Sequence, residues 1–82
     1  MSFINIGFGN VVNSTKIAAI VSPDSAPIKR LIQKAKEEET ILDATQGRRT
    51  KGVILLENQQ IVLSALTPET LSQRATISDE RE

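Results

Sequence analysis

Apolar and polar positions alternate at the start of the chain and then change rhythm twice. "FINI" (residues 3–6) alternates, which predicts a strand, and the following "GFGN" predicts its turn or a bulge. "KIAAIV" (16–21) is apolar at nearly every position and predicts a second strand. "SPDSAP" then interrupts the chain: Ser25 can cap a helix, and Pro27 falls in its first turn, where a missing N–H costs nothing. Ile28, Leu31, Ile32 and Ala35 recur at helical spacing, predicting a helix over 27–38 with Lys29, Arg30, Lys34 and Lys36 off its apolar stripe. "TILDAT", "TKGVILLE" and "IVLSAL" predict three short strands joined by tight turns as a meander. "TPETLSQR" predicts a short helix, with Thr67 as cap and Pro68 in its first position. The fold class is α+β: a small, mostly antiparallel sheet of about five strands, one main helix and a short C-terminal helix.

"KIAAIV" and "GVILL" do not alternate, so both of their faces are apolar. One helix with a narrow stripe can cover one face of such a sheet. Either the sheet curls on itself or another subunit covers the second face, and a homo-oligomer is favoured.

At 82 residues the chain makes one domain, burying roughly 60–65% of its unfolded surface. Residues 1–75 form the folded part and 76–82 a polar, acidic, flexible tail. With no cysteine and no histidine, disulfides and thiolate or imidazole metal sites are excluded, and no cofactor is expected. Self-association is the remaining way to reinforce so small a core. No apolar run is long enough to span a bilayer, and the N-terminus lacks a signal-peptide pattern, so a cytoplasmic protein without a membrane partner is expected. The net charge is zero but uneven: residues 1–56 hold eight Lys/Arg and five Asp/Glu, and residues 57–82 hold two and five.

Enzymatic chemistry has little to work with. The commonest general base and the strongest nucleophile are missing, and no serine sits in an activating motif, so neither catalysis nor a small-molecule substrate is expected. Asp43 reads as a turn cap or ion-pair partner. "GFGN" matches two glycines of a dinucleotide fingerprint, but the third falls on Val12, so these glycines serve a tight turn. Glu37, Glu38 and Glu39 are consecutive on a helix end, point in different directions and make a poor chelate.

The basic positions remain. Arg48, Arg49 and Lys51 crowd into "TQGRRTKGV" between two strands, with Gly47 and Gly52 leaving open backbone beside them. Guanidinium forks and short-loop N–H groups bind phosphate well. A solvated loop without a partner fits a single subunit equally well. In a symmetric ring, however, each copy would repeat the loop as a basic belt. Lys16, and Lys29 with Arg30, are candidates to widen that surface.

"FINIGFGN", "IVSPDSAPIKRLI", "DATQGRRTKGVIL" and "VLSALTPET" closely resemble, in order and spacing, the RemA family of small bacterial regulators, over about residues 3–71. The resemblance implies a nucleoid-associated, DNA-binding transcription regulator that forms a ring-shaped homo-oligomer and bends or wraps duplex DNA, with biofilm-matrix genes as targets in one branch. It also implies that Arg48 and Arg49 are the family's paired arginines and that Lys16 stands where relatives have arginine. That exchange keeps the charge and loses the bidentate fork. Gln46 occupies a position where some relatives have tyrosine. An oligomeric scaffold that meets an acidic protein patch is the alternative. RNA binding is disfavoured by the scarcity of stacking aromatics.

Overall fold

The computed structural model describes residues 2–80, with side chains through Ala75. The alternating N-terminal segment folds into a hairpin of β1 (Phe3–Gly7) and β2 (Asn10–Asn13). Ile4 and Ile6 face inward, while Phe3 and Asn5 face out. Pairing runs Ile4 to Val12 and Asn5 to Val11, then slips before Gly7, which makes Ile6 the extra residue of a bulge. β2 is a strand that the hydrophobic pattern did not announce, because its two valines sit between asparagines. A single 3₁₀ turn (Ser14–Lys16), capped by Asn13, leads into β3 (Ile17–Val21).

α1 spans Ala26–Glu37. Ser25 Oγ accepts from the Ile28 amide at 3.4 Å, and Pro27 lies in the first turn, as its sequence predicts. Its C-terminus turns back through Glu39, at φ 58°, with Thr40 N–H donating to the Ala35 carbonyl and Glu39 N–H to that of Lys36. β4 (Ile41–Asp43), β5 (Gly52–Leu56), β6 (Ile61–Ser64) and α2 (Pro68–Glu80) complete the chain. α2 continues well past the segment 67–74 where its cap predicts it, through most of the stretch read as an acidic tail. Residues 81–82 of that tail lie outside the described residues.

The expected meander is not formed. The sheet order is β3-β5-β6-β4, antiparallel except that β4 runs parallel to β6. β5 and β6, whose residues are the most buried, take the two inner positions; the apolar β3 lies at one edge and the three-residue β4, with Leu42 half exposed, at the other. Residues 44–51 therefore form no hairpin turn; they cross the end of β6 to reach β5.

α1 covers one face of this sheet through Ala35, Ile28 and Ile32, packed on Val53, Ile61 and Leu63. The β1–β2 hairpin and α2 cover the other, where Ile4, Ile6 and Leu71 meet Ile54 and Val62. Each apolar face thus has a cover within one chain, α1 on one and the hairpin with α2 on the other. This corrects the expectation that only a curled sheet or another subunit could cover the second face, because the pattern concealed the hairpin's second strand.

Candidate nucleic-acid interface

One end of the sheet collects most of the chemistry. β3, β4 and β6 finish there, β5 begins there, and both helices start there. The crossing segment is built by two local devices. Asp43 Oδ1 accepts from the Thr45 amide at 2.9 Å and from the Thr45 hydroxyl at 2.6 Å, so Asp43 is the turn cap its sequence position suggests. The hydroxyl bond first, then the amide bond, holds its carboxyl below the ordinary value of 3.8; the charge of Lys36 adds slightly and partial burial opposes. Thr45 itself is buried.

A tight turn follows, with Gln46 at φ 54° and Gly47 at φ 79°, closed by the Arg48 amide donating to the Thr45 carbonyl at 2.9 Å. Two consecutive positive φ values are the mark of a type I′ turn. The segment is pinned to β6 at both ends, by Ala44 N–H to the Leu63 carbonyl and Lys51 N–H to the Ser64 carbonyl, each at 2.9 Å. Arg48, Arg49 and Lys51 leave this fixed backbone exposed, and among the described residues no ion pair neutralises them.

The two flanking glycines differ. Around Gly47 a Cβ would meet nothing within 4 Å, so its backbone is open as expected. Gly52 is buried, and a Cβ there would lie 2.5 Å from the Leu66 carbonyl oxygen and 2.9 Å from Leu71 Cδ1. Its smallness admits the chain that leads into α2; it offers no surface to a ligand.

The β1–β2 hairpin brings its tip to the same place. Phe8 (φ 54°) and Gly9 (φ 79°) form a second turn with two positive φ values, after Gly7 at φ 112°. A phenylalanine in this region costs about 1–2 kcal/mol, and its ring remains 51% exposed. The Arg48 guanidinium carbon stands 6.0 Å from the ring centroid, at the outer limit of a cation–π contact. Gly7, Phe8, Arg48, Arg49, Lys51, Ala65 and Leu66 line a cleft of about 460 Å³. Ser64 ties the tip to the basic segment from below: its hydroxyl donates to the Ile6 carbonyl at 2.7 Å and accepts from the Leu66 amide at 3.0 Å.

On the far side of the arginines, a smaller cleft of about 300 Å³ joins Arg49, Thr50 and Lys51 to Ser22–Asp24, just before α1, and to Thr67 and Pro68, where α2 begins. Both helix N-termini add positive potential here, while Asp24 and Glu69 subtract from it. Lys29 and Arg30, exposed in the early turns of α1, leave from the same end.

Lys16 does not join them. Its carbonyl accepts from the Glu57 amide at 2.9 Å, and Ile17 pairs with Leu56, at the other end of β5 from Lys51. Five strand residues separate the two ends by about 17 Å. Lys16 instead borders a groove of about 710 Å³ that opens between β2 and β4, with Val11, Val12 and Leu42 on its walls. Phe8 is a site residue that the charge pattern does not mark; the only signal the sequence offers is an aromatic side chain set between two turn glycines.

The arrangement can bind an extended anion, and its cleft has no group placed to act as nucleophile or base. Among the described residues no three His, Cys, Asp or Glu side chains gather as a metal site, and no helix is long and apolar enough to cross a membrane.

Comparison with known proteins agrees with the sequence resemblance. Residues 3–75 match the family model described as RemA-like, "Extracellular matrix regulatory protein A-like". A Brevibacillus brevis protein is 52% identical over 98% of this chain and 93% of its own length. One from Halalkalibacterium halodurans is 51% identical over 100% and 94%, and one from Symbiobacterium thermophilum 54% over 93% and 80%. Each of the three bears the name "Putative regulatory protein", a regulator's name and not an enzyme's. The chain belongs to the RemA-like family, that of the extracellular matrix regulatory protein A-like proteins.

Proposed function

We propose that this protein is a non-enzymatic transcription regulator that binds duplex DNA through the segment carrying Arg48, Arg49 and Lys51, and that it acts as a ring-shaped homo-oligomer. The observation that carries the reading is the display of three exposed, unneutralised cations on a backbone pinned to β6 at both ends. A fixed loop loses little entropy when it takes up phosphates, and its two arginines can do so bidentately. Membership of a family of regulators fits a nucleic-acid target. Self-association draws support from the groove between β2 and β4, where Val11 is 58% and Leu42 50% exposed beside two unpaired strand edges. Lys16 borders this groove, so it would meet DNA from a different part of the subunit than the arginines do.

The test is a gel-shift series in increasing salt, with wild type and the double variant Arg48→Ala, Arg49→Ala. Each lost phosphate contact removes about 0.9 from the slope of log K against log salt, so loss of two per engaged subunit removes about 1.8. Affinity at moderate salt falls on the order of 10-fold or more. Unchanged affinity and slope would exclude this segment as the DNA contact and leave the scaffold that meets an acidic protein patch. A stable monomer in light scattering at micromolar concentration would remove the ring.

A further inference from the structure

Phosphate binding by three cations leaves Phe8 unexplained. In a type I′ turn both central positions need positive φ, which Asn, Asp and Gly adopt with least strain. The turn in the basic segment has the same form, a non-preferred residue followed by glycine, but there the first side chain is the polar Gln46. The hairpin tip uses Phe8-Gly9, placing a bulky aromatic where its backbone is strained. Burial does not compensate for the strain: the ring is 51% exposed, whereas the core aliphatics lie at 9% or below. A strained, exposed residue that contributes nothing to the core is a candidate for function.

Its surroundings say which function. The ring shares one cleft with Arg48, Arg49 and Lys51, and the Arg48 guanidinium stands over one side of it. The lining beside the ring is cationic and apolar: Arg48, Arg49 and Lys51 can reach phosphates or guanine edges, and no side-chain amide or carboxylate is there to pair with an adenine or cytosine edge. Three cations in one cleft with an apolar projection fit a polymer of phosphates with a hydrophobic interior. Resting on the DNA-binding reading above, we propose that Phe8 is a wedge: its ring enters a base step of duplex DNA and kinks it, while Arg48, Arg49 and Lys51 hold the flanking phosphates. Apolar side chains set among basic ones kink duplexes in this way, most easily at pyrimidine–purine steps.

The experiment uses the full chain and an end-labelled duplex of about 40 base pairs containing TA steps, some with 2-aminopurine beside the step. Wild type, Phe8→Gly, Phe8→Leu and the double arginine variant are compared for affinity, salt slope, end-to-end energy transfer, 2-aminopurine fluorescence, assembly mass and melting temperature. For Phe8→Gly the expectation is about 10-fold weaker binding with an unchanged salt slope and loss of the bend and of the 2-aminopurine signal. Its melting temperature is expected to rise, since glycine relieves the strained turn. Phe8→Leu keeps most of the bend. If Phe8→Gly bends and binds as wild type does while the arginine variant fails, the wedge is wrong and the DNA reading stands. If the arginine variant binds normally, the DNA reading falls first and the wedge with it. A lower melting temperature for Phe8→Gly, or a changed assembly mass, would make Phe8 a packing or subunit-contact residue and overturn the proposal.

Discussion

Ser64 joins the two arms of the basic end, and replacing it with alanine tests how that end is held. Its hydroxyl is fully buried, donates to the Ile6 carbonyl at 2.7 Å and accepts from the Leu66 amide at 3.0 Å. Ile6 is the extra residue of the β1 bulge, and Leu66 begins the approach to α2, so one oxygen links the hairpin, β6 and the lead into the last helix. Ser64→Ala removes that oxygen and little volume, so no appreciable cavity adds to the cost. What remains is a carbonyl and an amide left without this partner in a region largely closed to water. Each such orphan costs about 1–1.5 kcal/mol, giving a loss of about 2–3 kcal/mol. For a domain of this size, that lowers the melting temperature by roughly 8–24 °C. Urea denaturation followed by circular dichroism measures the loss directly, with the midpoint falling and the slope m unchanged. A loss under about 0.5 kcal/mol would mean that both groups find other partners, and the reasoning would fail.

Two further outcomes follow from backbone and charge. Glu39 holds the left-handed position that ends α1, at φ 58°, and its carboxylate opposes the helix dipole; Glu39→Gly removes both penalties, less the entropy of an added glycine, for a net gain of about 0.5–1 kcal/mol, and a calorimetric melting temperature that failed to rise would contradict it. Asp43 has its carboxyl held below 3.8 by the two bonds from Thr45, so the stability it lends is complete above that unfolded-state value and disappears as pH falls through the lower folded-state value. The stability difference between wild type and Asp43→Asn, measured in urea, should therefore stay constant at and above about pH 6 and shrink below pH 3.8; a difference independent of pH would refute this.

The parts of the fold legible in the sequence are those governed by local chemistry. Ser25 and Pro27 announce the start of α1, and Thr67 and Pro68 that of α2, because capping depends on a few adjacent residues. The strands beginning at Gly52 and Ile61 stand out because buried strands are continuously apolar, and β3 stands out equally, although it lies at an edge with none of its residues fully buried. What stayed hidden is set by partners distant in the chain. β2 is a strand because β1 pairs with it, and β4 is the parallel partner of β6 rather than the hairpin partner of β5, its neighbour in sequence. The second apolar face of the sheet illustrates the consequence. With β2 unseen, it looked bare, and the hairpin and α2 in fact lie over it, with a groove left open between β2 and β4.

The candidate site divides along the same line. Arg48, Arg49 and Lys51 come together because they lie within four residues, so their clustering could be read from the chain directly. Lys16 resembles Lys51 in sequence, each standing immediately before an apolar strand, β3 and β5 respectively. Antiparallel pairing of β3 with β5 sends the starts of the two strands to opposite ends of the sheet. Lys16 and Lys51 were therefore bound to separate once those strands became neighbours, whatever their shared charge. A duplex held by both must either run along the subunit for the length of β5 or pass from one subunit to the next. Phe8 is the converse case. It lies forty residues from Arg48 in the chain, and only the hairpin, folded back over the sheet, sets its ring 6.0 Å from that guanidinium. Proximity at this end of the molecule comes from strand direction, which is why a charge cluster was legible there and its aromatic neighbour was not.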